Sequence, residues 1–280
     1  MDKTNHKNET RIARVSGHFG EWLQGKFGEN GPVALISVQC PSFWVQVACS
    51  SSEAFVYQPE MAGLSADKAQ AILAALRILP ETTVHARSNT PVGAGLGAST
   101  ASLVALARAA TKRDLGAEVI AKACLSVEGA TDPLMYPDFD RLLWASRSGK
   151  ILARYAPPPK FEVLGGLVGL PQITDPKDNN FPEISDLIKE WPIATGRGFL
   201  QEVGDLATES YRRTTTLRDA APEPTMDLAK DLGAIGIIRA HTGSARGFLF
   251  KPGTVPSSGL HRLAEAGYSN ATQFITGGNE

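Results

Sequence analysis

Hydrophobic and polar residues recur with two different periods along this chain of 280 residues, and they predict a mixture of helices and strands. In the first half, apolar residues at helical spacing predict helices over residues 66–79, 99–113 and 117–128, the first of which Pro80 would end. Runs rich in β-branched and aromatic residues predict strands around these helices. The predicted strands are residues 12–16, 33–39, 43–50, 54–58 and 82–88.

Three consecutive prolines at positions 157–159 divide the pattern, because proline continues neither a helix nor a central strand. Beyond them, strands and helices are mixed. The predicted strands are residues 161–170, 235–240, 247–250 and 271–276, and the predicted helices are residues 183–191, 198–214, 225–232 and 258–266. We therefore expect an α+β protein of two lobes, residues 1–155 and 160–280, with a ligand in the cleft between them.

The composition is that of an ordinary globular protein, with 42% hydrophobic residues, 20% charged residues and a formal net charge of −1. Near-neutrality argues against nucleic-acid binding, which normally needs a basic surface. No apolar run is long enough to span a membrane, and residues 1–10, which we expect to be disordered, contain no signal-peptide core. Cys40, Cys49 and Cys124 lack C-x-x-C spacing and the five histidines lack metal-ligand spacing, so we expect a cytoplasmic protein with reduced thiols and no zinc site.

The strongest candidate for chemistry is the segment PVGAGLGASTA, residues 91–101, which leads into the predicted helix 99–113. Gly93, Gly95 and Gly97 remove alternate side chains from what we call the glycine loop, residues 91–97, so that backbone N–H groups can approach a bulky ligand. Ser99 and Thr100 open the helix, whose N-terminus attracts anions through unpaired N–H groups and the helix dipole. The arrangement predicts a phosphate site.

The glycine loop has three alternative interpretations. A tight strand-to-helix turn without a ligand is one, although three glycines within five residues after a proline make it less favoured. A dinucleotide fingerprint is the second, since residues 93–98 fit G-x-G-x-x-A, but Asp114 follows a helix end where an acidic residue should end a strand. A Walker loop is excluded because G-x-x-x-x-G-K-[ST] is absent from the sequence.

The segment PVGAGLGASTA closely resembles the P-x-x-x-G-L-G-S-S-A-A signature of the GHMP kinases, which include galactokinase, homoserine kinase, mevalonate kinase and phosphomevalonate kinase. Gly95, Gly97 and Ser99 match the signature, while Ala98 replaces its first serine. The resemblance implies that the loop wraps the phosphates of ATP and that Ser99 helps to hold Mg²⁺. The ATP-binding residues it implies are Pro91, Gly93, Ala94, Gly95, Leu96, Gly97, Ala98, Ser99 and Thr100.

Two further segments resemble one branch of the same superfamily. SGHFGEWLQG, residues 16–25, is similar to the G-x-x-G-E-L-x-Q-G motif of the L-threonine kinases of cobalamin biosynthesis and propanediol utilisation. AHTGSARG, residues 240–247, is similar to their H-[ST]-G-[ST] variant of the third motif. A glycine-flanked turn and a hairpin turn are the structural alternatives. The resemblance implies substrate contacts by Glu21, Gln24, His241, Thr242, Gly243 and Ser244.

Phosphoryl transfer to an alcohol also needs a metal clamp on the phosphates and a group that orients or deprotonates the attacking hydroxyl. Glu128 ends the third predicted helix and Asp132 follows it in EGATDP. The resemblance implies that Glu128 binds Mg²⁺ and that Asp132 acts on the substrate hydroxyl, so both are catalytic candidates. A solvated helix end for Glu128, and a turn residue before Pro133 for Asp132, are the structural alternatives.

The resemblance covers nearly the whole chain and implies a two-lobed α+β GHMP kinase fold, with a ribosomal-protein-S5-like N-terminal lobe that binds ATP and a ferredoxin-like C-terminal lobe. It implies ATP-dependent phosphorylation of L-threonine to O-phospho-L-threonine for cobalamin biosynthesis. Another acceptor, such as homoserine, pantoate or a sugar, and a nucleotide-binding regulator with little activity are the alternatives. We expect a small-molecule alcohol as partner, with neither nucleic acid nor membrane, and a homodimer is compatible with this function.

Overall fold

The computed structural model describes residues 10–60, 63–79, 81–218 and 224–278, and in these residues the strands form a single ten-stranded sheet. The strands are β1 Arg11–Lys26, β2 Val33–Ser51, β3 Val56–Pro59, β4 Thr82–Ser88, β5 Leu142–Ala145, β6 Lys150–Arg154, β7 Phe161–Leu167, β8 Gly236–Arg239, β9 Ala245–Phe250 and β10 Ser269–Thr276. The helices are α1 Ala66–Ala75, α2 Ala98–Ala109, α3 Ala117–Glu128, α4 Ser185–Arg197, α5 Leu200–Arg218, α6 Thr225–Leu232 and α7 Gly259–Glu265. The disorder predicted for residues 1–10 falls almost entirely outside the described residues, as does Pro80.

The sheet connects the two halves of the chain. Its strand order is β10-β7-β9-β8-β1-β2-β4-β3, and the hairpin β5–β6 joins β2 at the side. Strands β1 and β8, one from each half, meet through the single antiparallel pair Glu21 and Arg239. Trp22, Phe161 and Trp191 pack together across the same junction in one hydrophobic cluster. The division into lobes at residues 155–160, the connection between β6 and β7, stays a prediction.

Strand β1 is much longer than predicted, and it carries the segment 16–25 inside the sheet instead of in a turn. The prediction ended the strand at residue 16 because glycine and polar residues interrupt the apolar alternation there. In the structure β1 continues along β2, with register shifts on either side of His18 and Glu21. Such irregularities re-aim side chains, and here they bring His18 and Glu21 to the wall of a cavity.

Helix α2 is the central helix of the first half. Nine of its residues are buried, so it is apolar on almost every side, and it packs in the largest hydrophobic cluster together with residues of β1, β2, α1 and α3. It ends at Ala109, earlier than the predicted residue 113. Helix α3 and helix α6 have the predicted bounds. The β5–β6 hairpin was not predicted, because β5 is only four residues long and wholly buried, without alternation.

No helix in the described ranges is long and apolar enough to cross a membrane.

Candidate active site

The glycine loop adopts a backbone that glycine alone enters readily. Gly93, Gly95 and Gly97 have φ values of +74°, +75° and +73°, in the left-handed region. Gly97 is also the N-cap residue of α2, and it has no side chain to cap the helix. The first amides of α2 are therefore left for a ligand, as the phosphate-site prediction requires.

The glycine loop is packed tightly against the β8–β9 loop, residues 240–244. A Cβ on Gly95 would overlap the carbonyl oxygen of Thr242, and one on Gly243 would overlap the backbone of Ala94. The amide of Ala245 also donates a hydrogen bond to the carbonyl of Ala94 at 3.0 Å. Contacts this close fix the position of the glycine loop relative to the second half of the chain.

A cavity of about 510 Å³ opens along the glycine loop. It is lined by the glycine loop, the start of α2, Lys68 of α1 and the end of α3. Residues of β1, the β5–β6 turn, residues 172–174 and the β8–β9 loop complete the lining. A cavity of this size is typical of small-ligand sites.

Ser99, Glu128 and Lys68 converge at one end of the cavity. The Ser99 hydroxyl donates a hydrogen bond to Glu128 Oε1, and the Lys68 ammonium lies 2.8 Å from the same carboxylate oxygen and 3.3 Å from Ser99 Oγ. A cationic group thus already lies beside the two side chains that were predicted to hold Mg²⁺. In the described residues no three acidic, histidine or cysteine side chains form a metal site by themselves. One carboxylate and one hydroxyl nevertheless fit Mg²⁺, which commonly takes few protein ligands and completes its shell with phosphate and water.

Asp132, His18 and Glu21 form a charged chain that also lines the cavity. His18 Nε2 lies 3.6 Å from Asp132 Oδ2, and His18 Nδ1 lies 3.6 Å from Glu21 Oε1. Thr100 Oγ1 accepts a hydrogen bond from the Asp132 amide at 3.3 Å, which ties Asp132 to the first turn of α2. His18 and Glu21 are fully buried, whereas 26% of the Asp132 side chain remains exposed to the cavity.

The charges in this chain depend on one another. Burial alone would lower the pKa of His18, but the neighbouring carboxylates of Glu21 and Asp132 outweigh it and raise that pKa to about 9. Burial raises the pKa of Glu21 to about 7, with the charge of His18 opposing it. Burial likewise opposes ionisation of Asp132, but the hydrogen bond and charge of His18 prevail, so the pKa of Asp132 lies below its usual value. Asp132 is therefore held as a carboxylate by a protonated His18.

Most of the predicted site residues come together at this cavity. Those that line it are Pro91, Gly93, Gly95, Leu96, Gly97, Ala98, Ser99, Thr100, Glu128, Asp132, Glu21, His241 and Thr242.

Four predicted residues lie behind the cavity wall. The side-chain amide of Gln24 is buried and donates to the carbonyl of Arg239 at 3.1 Å, so it supports β8 instead of facing the cavity. Ala94 and Gly243 belong to the packed contact between the glycine loop and the β8–β9 loop, and the carbonyl of Ser244 accepts a hydrogen bond from the Val168 amide at 2.9 Å. The structure gives these residues supporting positions, and their contacts with ATP or the substrate stay predictions.

Three charged residues of the site were not predicted. Lys68 projects from α1, His18 lies in the segment 16–25 without having been singled out, and Arg147 projects from the β5–β6 turn. Of these three residues, only His18 could have been found from the sequence, because it lies near Glu21 within the segment 16–25. Nothing in the local sequence marks a lone lysine or arginine as a site residue.

Comparison with known proteins agrees with this geometry. Residues 64–135, which include the glycine loop, Ser99, Glu128 and Asp132, match the family described as GHMP kinases N terminal domain. A search of curated protein sequences gave no match.

Several solved structures share the fold over nearly the full length. Mevalonate kinase from L. major, in complex with R-mevalonate, is 14% identical with a TM-score of 0.69, and the match covers 99% of this chain and 98% of that chain. Phosphomevalonate kinase from Streptococcus pneumoniae is 12% identical with a TM-score of 0.68, covering 96% and 99%. Homoserine kinase from Cytophaga hutchinsonii is 17% identical with a TM-score of 0.62, covering 100% and 97%.

At these identities the likeness is one of fold, and it confirms the predicted α+β class. The family match and the kinase neighbours together support a phosphotransferase that acts on an alcohol group. Residues 64–135 therefore match the GHMP kinase N-terminal domain, and the chain as a whole shares the fold of these kinases.

Proposed function

We propose that this protein transfers the γ-phosphoryl group of ATP to the hydroxyl of a small alcohol, and that the acceptor is L-threonine. The observation that carries the kinase proposal is that one cavity brings together the glycine loop, the Ser99–Glu128 pair and the Asp132 carboxylate. These are the three parts that phosphoryl transfer needs: a phosphate cradle, a place for a divalent cation and a group for the hydroxyl proton.

The phosphates of ATP would bind to the amides of residues 93–99 and to the N-terminus of α2. Ser99 and Glu128 would hold Mg²⁺, which when bound neutralises charge on the phosphate oxygens. Lys68 adds a positive charge beside the same two side chains. We expect this ammonium to contact a phosphate oxygen when Mg²⁺ takes its place beside Glu128.

In the proposed reaction, the acceptor oxygen forms a bond to the γ-phosphorus while the bond to the β–γ bridging oxygen breaks and ADP leaves. The hydroxyl proton moves to the carboxylate of Asp132. The low pKa of Asp132 makes it a weak base, which suits a loose transition state in which the proton is transferred late. Asp132 also orients the hydroxyl, because His18 lies against its carboxylate and Thr100 accepts a hydrogen bond from its backbone amide.

Two segments support L-threonine over other alcohols. The segments 16–25 and 240–247 resemble L-threonine kinase motifs, and both contribute to the cavity wall, through Glu21 and through His241 and Thr242. Homoserine, mevalonate and pantoate remain acceptors to compare, since neighbours of the same fold include homoserine and mevalonate kinases.

The test is an acceptor panel with the purified protein, Mg²⁺ and ATP. ADP release is measured with L-threonine, L-homoserine, R-mevalonate, pantoate and galactose, and the product is identified by ³¹P NMR. We expect the highest kcat/KM with L-threonine and a product phosphate monoester on its side-chain oxygen. A higher kcat/KM with another alcohol would replace the acceptor, and binding of ATP without any ADP release would contradict the kinase function.

A further inference from the structure

The cavity has a positively charged corner that the proposed reaction has not used. We call it the cationic corner and define it by Arg147, His241, Phe181 and Arg218. Arg147 and His241 line the cavity. Arg147 Nε and both ring nitrogens of His241 are buried and have no hydrogen-bond partner in the described residues. Buried polar groups are normally paired, so unpaired ones at a cavity wall indicate a missing ligand.

The corner is a rigid stack. The ring of His241 lies on Phe181, with centroids 4.0 Å apart and an angle of 12° between the planes. The guanidinium of Arg218 covers Phe181 at 4.1 Å from the ring centroid, and that of Arg147 lies 5.8 Å from it. His241 is only 7% exposed. The packing therefore holds the imidazole in place and leaves its nitrogens to whatever enters the cavity.

The charges of the corner favour an anion. Arg218 forms an ion pair of 2.8 Å with Asp178, whereas Arg147 donates to neutral oxygens, the Ser146 hydroxyl at 2.8 Å and the Asp178 carbonyl at 3.4 Å. The carboxylates that act on Arg147 are those of Asp132, Asp178 and Asp175. Asp132 and Asp178 already pair with His18 and Arg218.

His241 is neutral in this setting. Burial is the main cause that lowers its pKa well below the usual value, and the positive charges of Arg147, Arg218, Arg239 and His18 lower it further. A neutral imidazole can donate one N–H to an anion while the guanidinium beside it supplies the positive charge.

We propose that Arg147 and His241 bind the carboxylate of the phosphoryl acceptor, so that the enzyme selects hydroxy acids and hydroxy amino acids over neutral alcohols. This inference rests on the proposed kinase function and names the substrate class of the same site. Arg147 also lies close enough to Asp132 for the two charges to interact. An acceptor held at Arg147 by its carboxylate can therefore present a hydroxyl two or three bonds away to Asp132.

The experiment compares acids with the amino alcohols in which a neutral hydroxymethyl group replaces the carboxylate, and the phosphorylated oxygen is identified by ³¹P NMR. The value of kcat/KM is measured for L-threonine against L-threoninol and for L-homoserine against homoserinol, with galactose and sn-glycerol 3-phosphate as further acceptors. We expect kcat/KM of the wild-type protein to be about 10- to 100-fold higher for each acid than for its amino alcohol, which is the effect of losing one hydrogen bond to a charged group. We expect the preference for the acid to fall to near unity in R147M, because acid and amino alcohol then lack the same charged contact.

Arg218→Met is the matched control, because Arg218 lies on Phe181 without lining the cavity. It should affect acids and amino alcohols alike. Equal use of acid and amino alcohol by the wild-type protein, which needs no variant, would overturn the inference. An equal loss of kcat/KM on both substrates in R147M would overturn it as well, as would a higher kcat/KM with sn-glycerol 3-phosphate or galactose than with the acids. In each of these cases the proposed kinase function would still hold. No ADP release with any acceptor would overturn the proposed function itself.

Discussion

Replacing Gly95 with alanine tests whether the glycine loop is held by the β8–β9 loop. At φ +75°, an alanine costs about 1–2 kcal/mol in the left-handed region. Its Cβ would also overlap the Thr242 carbonyl oxygen and the Cβ of Ala240, and the shift that relieves such overlap adds about 1–3 kcal/mol. We therefore expect G95A to lower the free energy of unfolding by about 2–5 kcal/mol.

Gly253→Ala is the matched control. Gly253 has a similar φ of +79°, but a Cβ there would meet no atom within 4 Å, so only the backbone cost of about 1–2 kcal/mol applies. At about 2 °C per kcal/mol for a chain of this size, the midpoint of thermal unfolding should fall by about 4–10 °C in G95A and about 2–4 °C in G253A.

Binding of an ATP analogue, measured by titration calorimetry, should weaken in G95A alone, because the phosphate-binding amides move with the loop. Equal unfolding midpoints in the two variants would refute the packing argument. Unchanged affinity for the analogue in a destabilised G95A would separate the loop from nucleotide binding.

Three further predictions concern the chemistry. Glu128→Gln should reduce kcat by at least about 100-fold, because losing a residue that merely hydrogen-bonds to a metal ligand already costs about 10–100-fold. Wild-type turnover in a folded E128Q protein would contradict the metal-binding role of Glu128. Asp132→Asn should reduce kcat by about 10²–10⁴-fold, and a loss below about tenfold would leave Asp132 with orientation only. Because His18 carries its proton below a pKa of about 9, kcat/KM should fall as the pH rises through that value. Glu21→Gln removes a charge that raises this pKa, so the fall should move to lower pH, and an unshifted profile in E21Q would contradict the coupling of Glu21 to His18.

Local signals explain what could be predicted of the fold. Helix α3 has regular apolar spacing and ends at Gly129, whose φ of +72° caps it. Helix α6 ends in the same way at Gly233. The continuation of β1 beyond the predicted residues 12–16 was missed, because its register shifts and Gly20 break the alternation on which strand prediction depends. Pairing with β2, and with β8 at Glu21, keeps these residues in the sheet.

The same distinction between local and long-range signals applies to the site residues. Ser99, Glu128 and Asp132 could be found because each lies within or just after a recognisable local segment. Lys68 and Arg147 could not, since each reaches the cavity only through the packing of α1 and of the β5–β6 turn. Gln24 also belongs to a recognisable segment, but its side chain donates to the carbonyl of Arg239, a contact that the segment by itself does not reveal.

The most direct test of the account is a crystal structure with Mg²⁺ and a non-hydrolysable ATP analogue. We expect the β- and γ-phosphates to contact the amides of residues 93–99 and Mg²⁺ to lie between Ser99 and Glu128. We also expect the Lys68 ammonium to have left its 2.8 Å contact with Glu128. A triphosphate bound away from the glycine loop, or a metal ion held elsewhere in the cavity with the Lys68–Glu128 pair intact, would contradict it.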